Sequence, residues 1–224
     1  MNHAIVTAAG KSARFGGDKQ LYSILGQPML IRSLRPFEED PDIAQIIVTY
    51  PPDKQEVVYR RICDECGFTK VRLIRGGETR YHSVRKAFES IEQDRNDDVV
   101  LIHDAARPLL RSALLRRVLE ATIRKGCAVP VVPVRETVKE IEGQKVLRTV
   151  PRERLFLAQT PQGFLCSILA DSYNRVKTTL VTDESTLVEM AGYEVHVVTG
   201  DPVNIKVTEF QDIAVAESYL REAQ

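Results

Sequence analysis

The sequence predicts an α/β protein: a mostly parallel twisted sheet flanked by helices, with a β-arm projecting from it. Three observations carry this. Short apolar runs alternate with stretches of helical spacing from the first residues onward, the pattern of strand, crossover and parallel strand. The segments 7–19, 76–83 and 103–108 each follow such a run, which gathers them beyond the carboxyl ends of strands. Residues 136–150 alternate apolar and charged side chains about Glu142-Gly143-Gln144, a hairpin signal. At 224 residues and 43% hydrophobic, the chain can bury a full core. It reads as one domain, 1–224, with the arm at about 136–152.

In order along the chain, Ala4 to Val6 is a buried strand that ends in Thr7, Ala8, Ala9 and Gly10. A basic loop follows, with Lys11, Arg14 and Lys19, and with Gly16 and Gly17 between the last two. Small residues let a ligand approach the backbone, and N–H groups converging with cations suit a polyphosphate. The loop is not a Walker A loop, because no glycine stands five residues before Gly10-Lys11-Ser12; nor is it a Gly-x-Gly-x-x-Gly turn. Leu21 to Pro28 reads as a short hairpin or turn. Met29 to Phe37 has helical spacing at 30, 31, 34 and 37. Ile43–Tyr50 is a strand broken by Pro51-Pro52, and Lys54–Cys66 a helix closed by Gly67. Val71–Arg75 is the third strand. A helix from about Tyr81 to Glu92 puts Val84, Ala87, Phe88 and Ile91 on one face, and Asp98–His103 is the fourth strand.

His103-Asp-Ala-Ala-Arg-Pro108 sets the Asp104 carboxylate at the sheet edge with space beside it. It can pair locally with Arg107, or handle Mg²⁺ or substrate hydroxyls, and its position favours the second. His103 reads as a packed or hydrogen-bonded side chain. Ser112 caps a helix to Lys125 with Leu114, Leu115, Val118, Leu119 and Ile123 inward. Residues 128–134 form a strand or edge segment, since Pro130 and Pro133 argue against full pairing. The hairpin has too thin an apolar side to stand alone, so it must pack on the domain or on a second subunit. Ala158–Phe164 is a strand end and turn before a helix through Val176. Thr182 caps the next helix, where Asp183 and Glu184 suit the dipole. Tyr193–Val198 is a strand, Asn204–Thr208 follows, and Glu209–Leu220 is the last helix.

Lys plus Arg and Asp plus Glu both number 31, so no basic excess suggests nucleic acid. Cys63, Cys66, Cys127 and Cys166 do not make a secreted disulfide framework. Cys63-x-x-Cys66 lacks a companion zinc motif and falls at a helix end, so these thiols read as structural. Without a leader-like run or an apolar stretch of about 20 residues, a soluble cytoplasmic protein is the expectation.

A set of motifs then runs in a known order. It comprises Ala8-Ala9-Gly10 with Arg14 and Lys19-Gln20; Gly76-Gly77-Glu78 with Arg80 and Ser83; and His103-Asp-Ala-Ala-Arg-Pro108. It continues with Pro133-Val-Arg-Glu-Thr137, Thr149-Val-Pro-Arg152, Gln159-Thr-Pro-Gln162, Thr182-Asp-Glu184 and Asn204-Ile-Lys-Val-Thr208. Over almost the entire chain this resembles the 2-C-methyl-D-erythritol 4-phosphate cytidylyltransferase family. The resemblance implies a Rossmann-like nucleotidyltransferase fold and transfer of CMP from CTP to methylerythritol phosphate, with Mg²⁺. It implies that Ala8, Ala9, Gly10, Gly77, Glu78 and Ser83 bind CTP, and that Arg14, Lys19 and Lys206 are catalytic. Asp104, Arg107, Thr160 and Thr182 would line the polyol-phosphate side, with Asp104 also nearest the metal. The arm would cross to a partner in a homodimer, bringing Thr137 and Arg152 to the neighbouring site. Asp18 stands where many relatives have proline, and Val203 where some have aspartate. Ribitol 5-phosphate is the alternative acceptor, and a non-catalytic nucleotide-binding regulator the alternative of another class. No nucleic acid or membrane partner is expected.

Overall fold

A computed structural model of the chain describes residues 1–10, 15, 18–92 and 97–222. Strand β1 (Asn2–Thr7) leads to a single 3-10 turn at Lys19–Leu21, the small hairpin β2 (Ser23–Ile24) and β3 (Gln27–Pro28), and helix α1 (Met29–Glu39). Then β4 (Ile43–Tyr50), α2 (Glu56–Glu65), β5 (Val71–Arg75), α3 (Arg80–Glu89) and β6 (Val99–Asp104) repeat the strand–helix alternation. Helix α4 (Ser112–Lys125) precedes β7 (Cys127–Pro133), the arm strands β8 (Val138–Glu142) and β9 (Lys145–Val150), and β10 (Phe156–Ala158) and β11 (Gln162–Leu165). The chain continues through α5 (Cys166–Arg175), α6 (Glu184–Met190), β12 (His196–Thr199) and α7 (Asp212–Glu222).

Among the described residues, eight strands form the main sheet in the order β10-β7-β11-β6-β1-β4-β5, with β12 beside β7. β6, β1, β4 and β5 are parallel, as are β12 and β7, while β10 and β11 run against their neighbours. The register sets Thr7 level with both Asp104 and Thr49, so three strands finish at one edge. Alternation along each strand sends Ala4, Val6, Val48 and Leu101 into one core with α1 and α4. Ile5, Ile47 and Ile102 enter the opposite core with α3 and α5. Cover on both faces accounts for the continuous apolar runs seen in these strands.

Several local expectations change. Ser112 is not a cap: Arg111 occupies that position, and no side chain caps α4. Ile123 points outward and is 57% exposed. Thr122 takes the inward place, its hydroxyl donating to Val118 O at 2.8 Å. Gly163 makes room for it, since a Cβ there would stand 2.0 Å from Thr122 Oγ1. Despite its prolines, β7 is paired on both sides. β12 runs along one side; the other is shared by β11 at Cys127 and Ala128 and by β10 from Val131, so Pro130 falls at the change of partner. Residues 156–165 supply two strands rather than one strand end. Thr182 does not cap α6; the Asp183 carboxylate does, accepting from Thr186 N at 3.0 Å. The late strand starts at His196 rather than Tyr193.

The arm forms a separate two-stranded sheet. It turns at Gly143, whose φ of +58° favours glycine. Ile141, Val146 and Leu147 stay exposed on it. All four cysteines are free, and burial pushes the Cys63 thiol up to about 12, which leaves it unreactive. No helix among the described residues is long and apolar enough to cross a membrane.

Candidate active site

At the carboxyl edge of the sheet lies a cavity of about 280 Å³, with Ala9, Gly10, Lys19, Ser83, Asp104 and Lys206 in its walls. It shares Ala9, Gly10 and Glu78 with a wider cavity of about 830 Å³ that includes Gly77. It shares Arg80, Asp104 and Lys206 with a smaller one of about 150 Å³ bounded by Arg107, Thr160 and Thr182. Ala9, Gly10, Gly77, Glu78 and Ser83 therefore border the first two cavities, Arg107, Thr160 and Thr182 border the third, and Arg80, Asp104 and Lys206 form a wall common to the first and third.

The side lined by Ala9 and Gly10 depends on close backbone approach. Gly76 N donates to Tyr50 O at 2.8 Å, and a Cβ on Gly76 would stand 2.4 Å from Ala9 Cβ. Only glycine lets the end of β5 come so near the segment that follows β1. Ser83 Oγ donates to Thr79 O at 2.9 Å and accepts from Gly77 N at 3.0 Å, which fixes the backbone at Gly77. Ala8 is fully buried and its N–H donates to Thr49 O at 3.0 Å, so it supports the floor while Ala9 and Gly10 line it. Arg14 and Lys11 lie outside the described residues.

Asp104 is the electrostatic centre. Its Oδ2 is 2.8 Å from Lys206 Nζ and 3.7 Å from Arg107 Nε, and its Oδ1 is 3.5 Å from Arg80 Nε. Thr7 Oγ1 donates to the same carboxylate at 3.4 Å. Burial alone would raise its pKa, but Arg80, Lys206 and Arg107 together hold it well below the usual carboxylate range. The local pair with Arg107 thus exists, as one member of a larger network. Arg107 is itself buried and donates from Nη1 to Asn204 O at 2.8 Å.

His103 is a structural residue. Its ring meets Thr160 Oγ1 at 2.9 Å and Arg107 O at 3.2 Å, and burial pushes its pKa down to about 4. Thr160 Oγ1 also accepts from Asp104 N at 3.1 Å, so this hydroxyl holds the end of β6. Thr182 is exposed beside it, with Oγ1 3.3 Å from Thr186 Oγ1.

Lys19 contacts the short segment that carries Lys206. Lys19 Nζ donates to Val207 O at 3.0 Å, next to Lys206 in sequence. Asp212 fixes this segment by accepting from Thr208 N at 2.6 Å and from Glu209 N at 2.9 Å. Phe15 packs with ring centroids 5.5 Å from Tyr22 and 5.8 Å from Phe210, just beyond the same segment. Asp18, the departure noted in the loop, pairs with Lys54 at 3.0 Å.

Thr137 and Arg152 are exposed at the base of the arm and line none of these three cavities of their own chain. Among the described residues no group of three or more His, Cys, Asp or Glu side chains is placed to hold a metal ion. Sequence reasoning missed two features. Thr7 contacts Asp104, and Glu184, read as a dipole-compensating residue, is buried and forms an ion pair with Arg80. Register pairing with β6 would have found Thr7; Glu184 gave no signal beyond its place in a motif.

Comparisons with known proteins agree along the whole chain. The family model described as IspD, 2-C-methyl-D-erythritol 4-phosphate cytidylyltransferase, matches residues 2–222. A protein of that name from Acidobacterium capsulatum is 38% identical, over 97% of this chain and 96% of that one. Another, from Geotalea uraniireducens, is 39% identical over the same shares. The crystal structure of the protein of that name from Thermus thermophilus superposes with a TM-score of 0.80 at 34% identity, covering 97% of this chain and 98% of that one. The shared architecture is the Rossmann-like nucleotidyltransferase fold.

Proposed function

The chain belongs to the 2-C-methyl-D-erythritol 4-phosphate cytidylyltransferase family, and from that membership and the cleft geometry we propose how its reaction is run. It is a cytidylyltransferase that moves CMP from CTP to 2-C-methyl-D-erythritol 4-phosphate, giving CDP-methylerythritol and pyrophosphate in the non-mevalonate isoprenoid pathway. The observation that carries the mechanism is the wall of Lys206, Arg80 and Asp104 shared by the two cavities.

Cytosine lies over Ala8 to Gly10, close to Gly77, Glu78 and Ser83. Lys19 and Arg14 hold the triphosphate. The methylerythritol phosphate enters beside Arg107, Thr160 and Thr182. Its monoester oxygen attacks the α-phosphorus in line, and the pyrophosphate leaves with the electron pair. A phosphate monoester has a second pKa of about 6, so at neutral pH the nucleophile is already mostly anionic and needs no general base. The barrier is repulsion between two anions and charge build-up at phosphorus. Lys206 answers both by turning from Asp104 to the reacting phosphates, and Lys19 answers the second.

The residues present fit Mg²⁺ in one manner only. Asp104 is a carboxylate of the shared wall, and Mg²⁺ commonly takes one or two protein carboxylates with substrate phosphates completing its shell. Asp104 would hold the ion with the oxygen that Lys206 leaves as it turns to substrate. When bound, Mg²⁺ supplies charge neutralisation along the triphosphate.

The active unit is a homodimer. The arm presents Ile141, Val146 and Leu147, while Phe156 and Leu157 are exposed on β10 nearby in sequence. An apolar surface of this kind is suited to a second copy. Arm exchange brings Thr137 and Arg152 to the partner's acceptor side. Phosphorus NMR of the enzyme with CTP and methylerythritol phosphate tests the activity: two coupled diphosphate signals and free pyrophosphate are expected, and unchanged CTP would overturn it.

A further inference from the structure

Arg80 joins the two sides of the cleft to a buried acid. Its Nη1 donates to Glu184 Oε1 at 3.0 Å and Oε2 at 2.7 Å, while its Nε faces Asp104 Oδ1 at 3.5 Å. Glu184, at the start of α6, is only 1% exposed, and Arg80 opens α3. The chain Glu184–Arg80–Asp104–Lys206 therefore runs from the core to the wall shared by both cavities.

Stability is a poor explanation for such a chain. A buried ion pair rarely outperforms apolar packing of the same volume, because desolvation offsets the attraction. What this contact offers is direction: both Glu184 oxygens accept from the one nitrogen Nη1, and Nε is left facing Asp104. A carboxylate shared with Arg80 also leans less on Lys206. With Arg80 removed, Asp104 would draw Lys206 more strongly and hold it back from incoming phosphate.

We propose that Arg80, anchored by Glu184, is a positioning residue for nucleotidyl transfer: it holds Asp104 so that Lys206 can pass to the phosphates meeting at the shared wall. The proposal rests on the cytidylyltransferase activity described above.

The test compares unaltered enzyme with Arg80→Ala, Arg80→Lys and Glu184→Gln, measuring pyrophosphate release, CTP affinity by calorimetry and thermal unfolding. Arg80→Ala should lower kcat about 100-fold, the scale of a small misplacement of a reacting group, with CTP affinity little changed. Glu184→Gln, which keeps the shape and removes the charge, should lower kcat less, again without a matching loss of CTP affinity. Arg80→Lys should recover only part of the loss, since an ammonium lacks the planar fork. Guanidinium ion at non-denaturing concentration should raise the kcat of Arg80→Ala and leave unaltered enzyme unaffected. Near-normal kcat in Arg80→Ala, or losses in both variants that track unfolding with no guanidinium rescue, would overturn the assignment. Should Arg80→Ala fail to fold, Glu184→Gln decides: a normal kcat in that variant overturns the proposal. Inactivity of the unaltered enzyme would instead overturn the activity itself.

Discussion

Lys206 Nζ and Asp104 Oδ2 stand 2.8 Å apart at the wall shared by two cavities of the cleft. The cation is thus tied to a carboxylate at a wall that borders both cavities. The Lys206 side chain is 42% exposed and Asp104 10%, so the lysine is the more accessible partner. Lys206→Met, which keeps length and removes charge, should fold normally and lower kcat by about 100-fold or more. Steady-state kinetics on the purified variant checks this; a change confined to KM would reassign Lys206 to simple binding.

Lys19 Nζ rests on Val207 O at 3.0 Å, on the segment that carries Lys206. Lys19→Ala should cut turnover by roughly 10²–10³-fold, the loss typical of removing one charge-stabilising donor. Far-UV circular dichroism should be unchanged. A kcat close to that of unaltered enzyme would remove Lys19 from the catalytic group.

Gly76 is a steric requirement. A Cβ there would stand 2.4 Å from Ala9 Cβ and 3.1 Å from Tyr50 O, so Gly76→Ala must shift one of the two segments. The expected cost is about 1–3 kcal/mol by overpacking, with KM for CTP raised because Ala9 belongs to the floor. Denaturant titration paired with CTP kinetics reads both effects.

The buried His103 predicts a pH effect with a definite sign. Its folded pKa is pushed down to about 4, below the ordinary value of 6.5, so the unfolded chain binds more protons between those limits. Its contribution to stability is complete above about 6.5 and is lost as pH falls toward about 4. Melting curves taken from neutral pH down toward the folded pKa should show a fall in Tm that is shallower in His103→Asn. Equal slopes would mean that His103 is not the titrating group.

The arm gives a test of assembly. Deleting residues 138–148 removes Ile141, Val146 and Leu147, and should yield monomers by sedimentation. Mixing Arg152→Ala with Lys19→Ala subunits should restore part of the activity, because one site of the mixed dimer then has both groups intact. Confirmed mixed dimers without rescue would contradict the crossed arrangement.

The parts of this fold that were legible share a physical cause. Ile43–Tyr50 and Val71–Arg75 matched their expected bounds because each is a short run rich in β-branched residues, ended by proline or glycine. Where neighbours decide the outcome, local pattern failed. Pro130 is tolerated in β7 because β10 and β11 divide one side of that strand. Thr122 turns inward because Gly163 leaves space. Asp104 and Lys206 could be named as site residues from the motif order, but their contact joins distant parts of the chain and depends on tertiary packing, with Val207 N donating to Ala106 O at 2.8 Å. Glu184 does stand in the first turn of α6 as expected, but its ion pair was hidden for the same reason: acid at a helix start is common, and its partner Arg80 is distant in sequence.

The most direct measurement of the central claim is pyrophosphate release from CTP, UTP and ATP, each offered methylerythritol 4-phosphate or ribitol 5-phosphate. The account predicts fast release only with CTP and methylerythritol 4-phosphate. Equal or faster release with ribitol 5-phosphate, or CTP binding without any release, would contradict it.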